Sequence, residues 1–148
     1  MKACEVMTRE PVTVAPETTV GEIARLLTER RISGVPVVDS ENKLVGIITE
    51  TDLFPKEKGV PFSMVRLPSL FDQWLDPEQI REFYEASKGR QARDVMTKDV
   101  ASVGPEDDIG TAAKIMMNRH VNRIPVVENG KLIGIITRQD LIRWMAKT

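Results

Sequence analysis

The sequence predicts an α+β fold: two pseudo-twofold-related β-α-β-β-α repeats joined by an insert. Three observations carry this. The stretch from Val6-Met7-Thr8 to Asp52-Leu53 recurs as Val95-Met96-Thr97 to Asp140-Leu141. Apolar periodicity switches between helical and strand spacing in the same order in both copies. Turn residues fall at matching places. Pro105, Pro125 and Val127 lie 89 residues after Pro16, Pro36 and Val38, and after one residue is lost in Glu128-Asn129-Gly130-Lys131 the spacing becomes 88. Leu44-Val45-Gly46-Ile47-Ile48-Thr49 then falls on Leu132-Ile133-Gly134-Ile135-Ile136-Thr137, and Asp52 on Asp140. The predicted divisions are a first repeat over 1–54, an apolar insert over 55–91 and a second repeat over 92–148.

Pro11-Val12-Thr13-Val14 reads as a short opening strand. Thr19-Val20-Gly21-Glu22 has the form of a capping box, and Val20, Ile23, Ala24 and Leu27 make the apolar stripe of the helix that follows. In the second copy Asp108 caps, and the stripe is Ile109, Ala112, Ala113 and Met116. Val35-Pro36-Val37-Val38 and Ile124-Pro125-Val126-Val127 read as buried strands, each followed across a polar turn by Leu44–Ile48 or Leu132–Ile136. Asn129-Gly130 supplies residues that tolerate positive φ, so the second hairpin is the better specified. The closing helices begin at Thr49 and Thr137, and Leu141, Ile142, Trp144 and Met145 give the second an apolar side. Neither half has enough helix to cover its own sheet, so the halves are expected to pack on each other.

The insert carries Val60, Phe62, Met64, Val65, Leu67, Leu70, Phe71, Trp74 and Leu75, too apolar for a solvated linker. Asp76-Pro77-Glu78-Gln79 starts a helix expected over about 77–87. The apolar residues before it are expected to pack on their own module, to form a dimer interface, or to cover a cleft.

Composition narrows the function. At 148 residues, with 41% hydrophobic and 29% charged residues, the chain can bury a substantial core, and a net charge of −1 gives no reason to expect nucleic acid. No apolar run reaches the roughly 18 residues of a membrane span, and the start lacks a targeting pattern, so no membrane partner and a cytoplasmic location are expected. Cys4 and His120 are single residues of their type, which leaves no Cys/His metal cluster and no nucleophile and base to nominate for catalysis.

The two Val-Met-Thr openings, the Val-Pro-Val-Val and Ile-Pro-Val-Val strands, and the two Gly-Ile-Ile-Thr-x-x-Asp endings resemble a tandem pair of CBS domains, named for cystathionine β-synthase. The resemblance covers about residues 3 to 54 and 92 to 146. Such pairs typically bind adenosine nucleotides, with the aspartate on the ribose and the threonine near ribose or phosphate. It therefore implies those roles for Asp52 and Asp140, and for Thr49 and Thr137. The chemistry is sound on its own terms. A helix start offers backbone N–H groups to a phosphate, and a carboxylate accepts from ribose hydroxyls. The same Thr-x-x-Asp spacing is also a capping arrangement that can serve its own helix alone.

The resemblance further implies an adenine slot between the opening strand and the approach to the Pro-Val-Val strand. Those positions are Thr13, Val14, Ser33, Gly34, Val35 and Pro36 in one copy, and Ser102, Val103, Asn122, Arg123, Ile124 and Pro125 in the other. The apolar members of both sets also suit plain core packing. Cross-pairing between repeats sets Asp140 with the first group and Asp52 with the second. Arg138 and Arg123, as planar two-bond donors, would meet phosphate tails, whereas Glu50 makes the Asp52 cleft less welcoming to polyphosphate. Arg30, Arg31 and His120, near helix ends, are expected to face solvent.

The expected function is a regulatory, non-catalytic module that senses ATP, ADP, AMP or a related adenosyl compound such as S-adenosylmethionine. Magnesium would enter only with a polyphosphate, with no dedicated metal site and no obligatory cofactor. A homodimer is expected, and so is a separate regulated protein to carry the output. The alternative is a structural or protein-interaction module with unoccupied clefts.

Overall fold

In a computed structural model the described residues are 1–53 and 77–147. Asp76 and the insert's apolar run from Val60 to Leu75 lie outside them. The order is α1 (Ala3–Val6), β1 (Thr8–Arg9), α2 (Val20–Arg30), β2 (Gly34–Val38), β3 (Leu44–Thr49), α3 (Glu50–Leu53), α4 (Pro77–Ser87), α5 (Ala92–Val95), α6 (Ile109–Arg119), β4 (Arg123–Glu128), β5 (Lys131–Thr137) and α7 (Arg138–Lys147). β2 and β3 form one antiparallel sheet, and β1-β5-β4 the other.

Each repeat's beginning belongs to the other repeat's sheet. β1 pairs with β5 through Thr8 and Ile135, and in the mirror arrangement Thr97 bridges Ile47 of β3. Ala3 and Met7 sit in the second repeat's core with Ile124, Val126 and Ile136, while Ala92 sits in the first repeat's core with Ile23, Val35 and Ile48. Glycine makes the crossing possible. A Cβ on residue 46 would lie 3.1 Å from the Thr97 carbonyl oxygen, and one on residue 134 would lie 3.0 Å from that of Thr8.

Pro11-Val12-Thr13-Val14 does not form a strand. Only Val14 bridges, parallel to Val37, and Val103 does the same against Val126. Val14 N–H donates to the Pro36 carbonyl at 3.1 Å and its own carbonyl accepts from Val38 at 3.0 Å, which fixes one residue and no more. Pro11 has no N–H with which to extend the ladder.

The helices start as their residues dictate. Thr19 Oγ1 accepts from Glu22 N–H at 3.2 Å and Glu22 accepts from Thr19 N–H at 3.4 Å, a closed capping box. Asp108 accepts from Gly110 N–H at 2.7 Å. The stripes bury Val20, Ile23 and Leu27 in α2, and Ile109, Ala112 and Met116 in α6. Asn129 and Gly130 both take positive φ, 55° and 82°, as a tight two-residue hairpin turn requires. The hairpin tips meet across the axis, where Asn42 Nδ2 donates to the Leu132 carbonyl at 2.8 Å. The apolar side expected of α7 is split, with Leu141 packed on the core and Ile142 55% exposed.

Candidate functional site

Two clefts flank the pseudo-twofold axis. The first, about 430 Å³, lies between the β3–α3 junction of the first repeat and residues 97–101 and 119–123 of the second. The second, about 540 Å³, sets the β5–α7 junction against residues 8–12 and 31–36. The linings correspond across the repeat. Thr97, Val100, Ala101, His120, Asn122, Thr49 and Glu50 in the first stand where Thr8, Pro11, Val12, Arg31, Ser33, Thr137 and Arg138 stand in the second.

Both closing helices begin beside their own repeat's strand approach and look across a cleft at the partner's. The Glu50 N–H donates to the Ser33 carbonyl at 3.1 Å and the Arg138 N–H to the Asn122 carbonyl at 2.9 Å. These bonds tie each helix start to the residue that precedes β2 or β4. Thr49, Glu50, Asp52, Asn122 and Arg123 line the first cleft, and Ser33, Gly34, Pro36, Thr137, Arg138 and Arg123 the second.

The two aspartates do not stand alike. Asp52 Oδ2 accepts from the Thr49 N–H at 2.9 Å, and its other oxygen reaches across the first cleft to the Thr97 hydroxyl at 3.4 Å. Asp140 is only 6% exposed and is not on the second cleft's lining. One of its oxygens accepts from the Thr137 N–H at 2.8 Å and the other from Arg143 at 3.2 Å. The ribose role expected of Asp140 therefore meets a carboxylate already turned onto its own helix, because Arg143 lies one turn on. The residue 88 positions before Arg143 is Pro55, which has no side-chain donor.

Of the expected adenine-slot residues, Ser33, Gly34 and Pro36 line the second cleft and Asn122 and Arg123 the first. Thr13, Val14 and Val35 are absent from the second cleft's lining, as are Ser102, Val103, Ile124 and Pro125 from the first. Val14, Val35, Val103 and Ile124 are core residues, because the single parallel bridge turns residues 14 and 103 inward. The cleft walls come earlier, at Pro11-Val12 and Val100-Ala101.

Arg31 and His120, expected only to face solvent, are exposed and also line the clefts. They end α2 and α6 in the left-handed conformation, φ 54° and 55°, which turns the chain from helix to cleft wall. Thr8 and Thr97 were visible in the repeated Val-Met-Thr, but their place on the opposite repeat's sheet was not.

Charge separates the clefts. Among the described residues, Arg31, Arg123 and Arg138 face one glutamate, Glu50, around the second. Around the first, Arg119 and Arg123 face Glu50, Asp52 and Asp99, and Arg119 is paired with Asp99 at 3.7 Å. Burial lowers the pKa of the Arg123 guanidinium from its ordinary value, and the Glu50 charge pushes it back up. Among the described residues no group of three or more His, Cys, Asp or Glu could hold a metal ion, and no helix is long and apolar enough to cross a membrane.

This arrangement, a repeated unit whose halves exchange their openings around paired clefts, is that of a tandem CBS-domain pair. The CBS domain family matches residues 3–57 and 92–147, and the chain belongs to that family. It is 34% identical over 145 residues to an uncharacterized protein of Methanocaldococcus jannaschii, covering 90% of this chain and 85% of that one. It is also 34% identical to inosine-5'-monophosphate dehydrogenase of the same organism, covering 96% of this chain but only 23% of the enzyme. Among solved structures, the CBS-pair protein CBSX2 from Arabidopsis thaliana superposes with a TM-score of 0.80 at 26% identity, covering 99% of this chain and 94% of that one. CBSX2 has also been solved in complex with AMP, and that structure matches with a TM-score of 0.73 at 27% identity, covering 99% of this chain and 96% of that one.

Proposed function

We propose that the chain is a regulatory, non-catalytic module that binds a phosphorylated adenosine compound in the clefts between its repeats. The carrying observation is the second cleft, where three arginines and the start of α7 surround about 540 Å³ with a single opposing carboxylate among the described residues. Arginine forks and the positive end of the α7 dipole suit a phosphate, and the apolar wall of Pro11, Val12 and Ile32 suits a base. The AMP complex of CBSX2 supports the same class of ligand.

In the first cleft Asp52 is the ribose acceptor, since its bond to Thr97 is long enough to be exchanged for a sugar hydroxyl. In the second, Asp140 acts through Thr137 and the helix start, and Arg138 meets the phosphate. Magnesium would enter only with a polyphosphate. Met117 on α6 and Ile142 on α7 are 75% and 55% exposed, and large apolar side chains left at the surface support a homodimer.

Thermal unfolding with and without AMP, ATP and S-adenosylmethionine tests the reading. At a hundredfold excess over Kd a ligand adds about 2.7 kcal/mol, which raises Tm by roughly 5 to 10 °C for a chain of this size. No shift with any of the three would leave a structural or interaction module, a reading favoured by the way both aspartates already satisfy their own helix starts.

A further inference from the structure

Arg123 lies on the lining of both clefts, at the axis that relates them. Its counterpart in the first repeat is Gly34, 89 residues earlier. A Cβ on residue 34 would lie 2.6 Å from Nη1 of Arg123 and 2.9 Å from its Cζ, so the guanidinium occupies the space that the glycine leaves. Nη2 donates to the Ser33 hydroxyl, and the nearby negative charge is that of Glu50. Ser33 and Glu50 line both clefts as well. The axis is therefore unsymmetrical, with one half-buried cation serving two cavities.

We propose that Arg123 is a phosphate-binding group shared by the two clefts, so that a 5'-phosphorylated adenosine in one weakens phosphate binding in the other. The inference rests on the clefts being adenosine-nucleotide sites. A phosphate in either cleft exchanges the Ser33 hydroxyl for its own oxygens as the acceptor of the guanidinium, a bond to an anion in place of one to a neutral hydroxyl. The planar fork then points at one phosphate. A second phosphate across the axis meets a committed arginine, the first ligand's negative charge and Glu50. An unphosphorylated adenosine carries none of this coupling.

Calorimetric titration of single-cleft variants tests it, with AMP and adenosine as probes. Ala101→Trp fills the first cleft and Val12→Trp the second, and retained adenosine binding in the open cleft reports that each variant is folded. Val100→Trp and Pro11→Trp replace either variant that fails this control. Adding Arg123→Gln is expected to weaken AMP about tenfold in both backgrounds and to change adenosine less than twofold. In the unplugged protein the weaker cleft is expected to bind AMP about tenfold more weakly than it does with its neighbour filled. A loss in one background only, or an equal loss for adenosine, overturns the shared role while leaving the nucleotide reading intact. If the unplugged protein binds neither probe, the nucleotide reading itself falls.

Discussion

Asp52 and Asp140 hold equivalent places in the repeat, yet the structure gives them different work. Asp140 holds the start of α7 from a buried position and is itself held by Arg143. Asp140→Ala removes a cap and leaves the half-buried Thr137 amide without its acceptor. The expected cost is about 1 to 2 kcal/mol in urea unfolding, with AMP binding in the first cleft unchanged. Asp52 is half-buried and shares one oxygen with the cleft, so Asp52→Ala is expected to cost less stability and to weaken adenosine in that cleft about tenfold. Equal stability losses, with no change in ligand binding, would show that both acids are caps and nothing else. The capping geometry was legible in Thr-x-x-Asp. Which acid keeps an oxygen for the cleft was not, because that depends on the residue three further on. Which of the expected slot residues line a cleft is hidden for a related reason. Whether residues 12 or 14 face the cleft turns on one isolated bridge, which no periodicity reveals.

Turns and caps are the elements whose sequence signals were strongest, since their chemistry is local. Gly130 at φ 82° has, among the described residues, no atom within 4 Å of the place a Cβ would take, so Gly130→Ala isolates backbone strain from crowding. It is expected to destabilise by about 1 to 2 kcal/mol, measured as a fall in the urea midpoint at constant slope. A neutral result would mean that the Asn42 to Leu132 contact, and not the turn conformation, sets the hairpin. Thr19→Ala opens a capping box on an exposed helix start and is expected to cost about 1 kcal/mol by the same measurement. Pro11-Val12-Thr13-Val14 forms no strand because β-prone residues do not make a ladder without neighbours to pair. The two residues that do pair, Thr8 and Arg9, bond to a strand more than a hundred positions away.

At the scale of the molecule, the exchanged openings make the repeats interdependent. The first repeat's core is completed by Ala92, Val95 and Met96, and the second repeat's core by Ala3, Cys4 and Met7. The segment after α4 is also bound to the first repeat, where the Ala92 N–H donates to the Thr18 carbonyl at 2.7 Å and Val20 donates to that of Arg90 at 2.8 Å. A fragment of residues 1–90 thus loses the strand edge and core residues that close its sheet, while 91–148 loses β1 and α1. Each leaves apolar side chains uncovered and β-strand amides unpaired, a double penalty that a small domain with a few kcal/mol of total stability cannot absorb. Neither fragment is expected to show a cooperative thermal transition in far-ultraviolet circular dichroism. Mixing them in equal amounts is expected to restore the helical signal and a concentration-dependent melt, because the exchanged segments then find their sheets. If residues 1–90 alone unfolded cooperatively with a native-like spectrum, the exchange would be ornament. The clefts, which exist only where one repeat's helix start meets the other's strand approach, would then have no structural need for both halves to fold together.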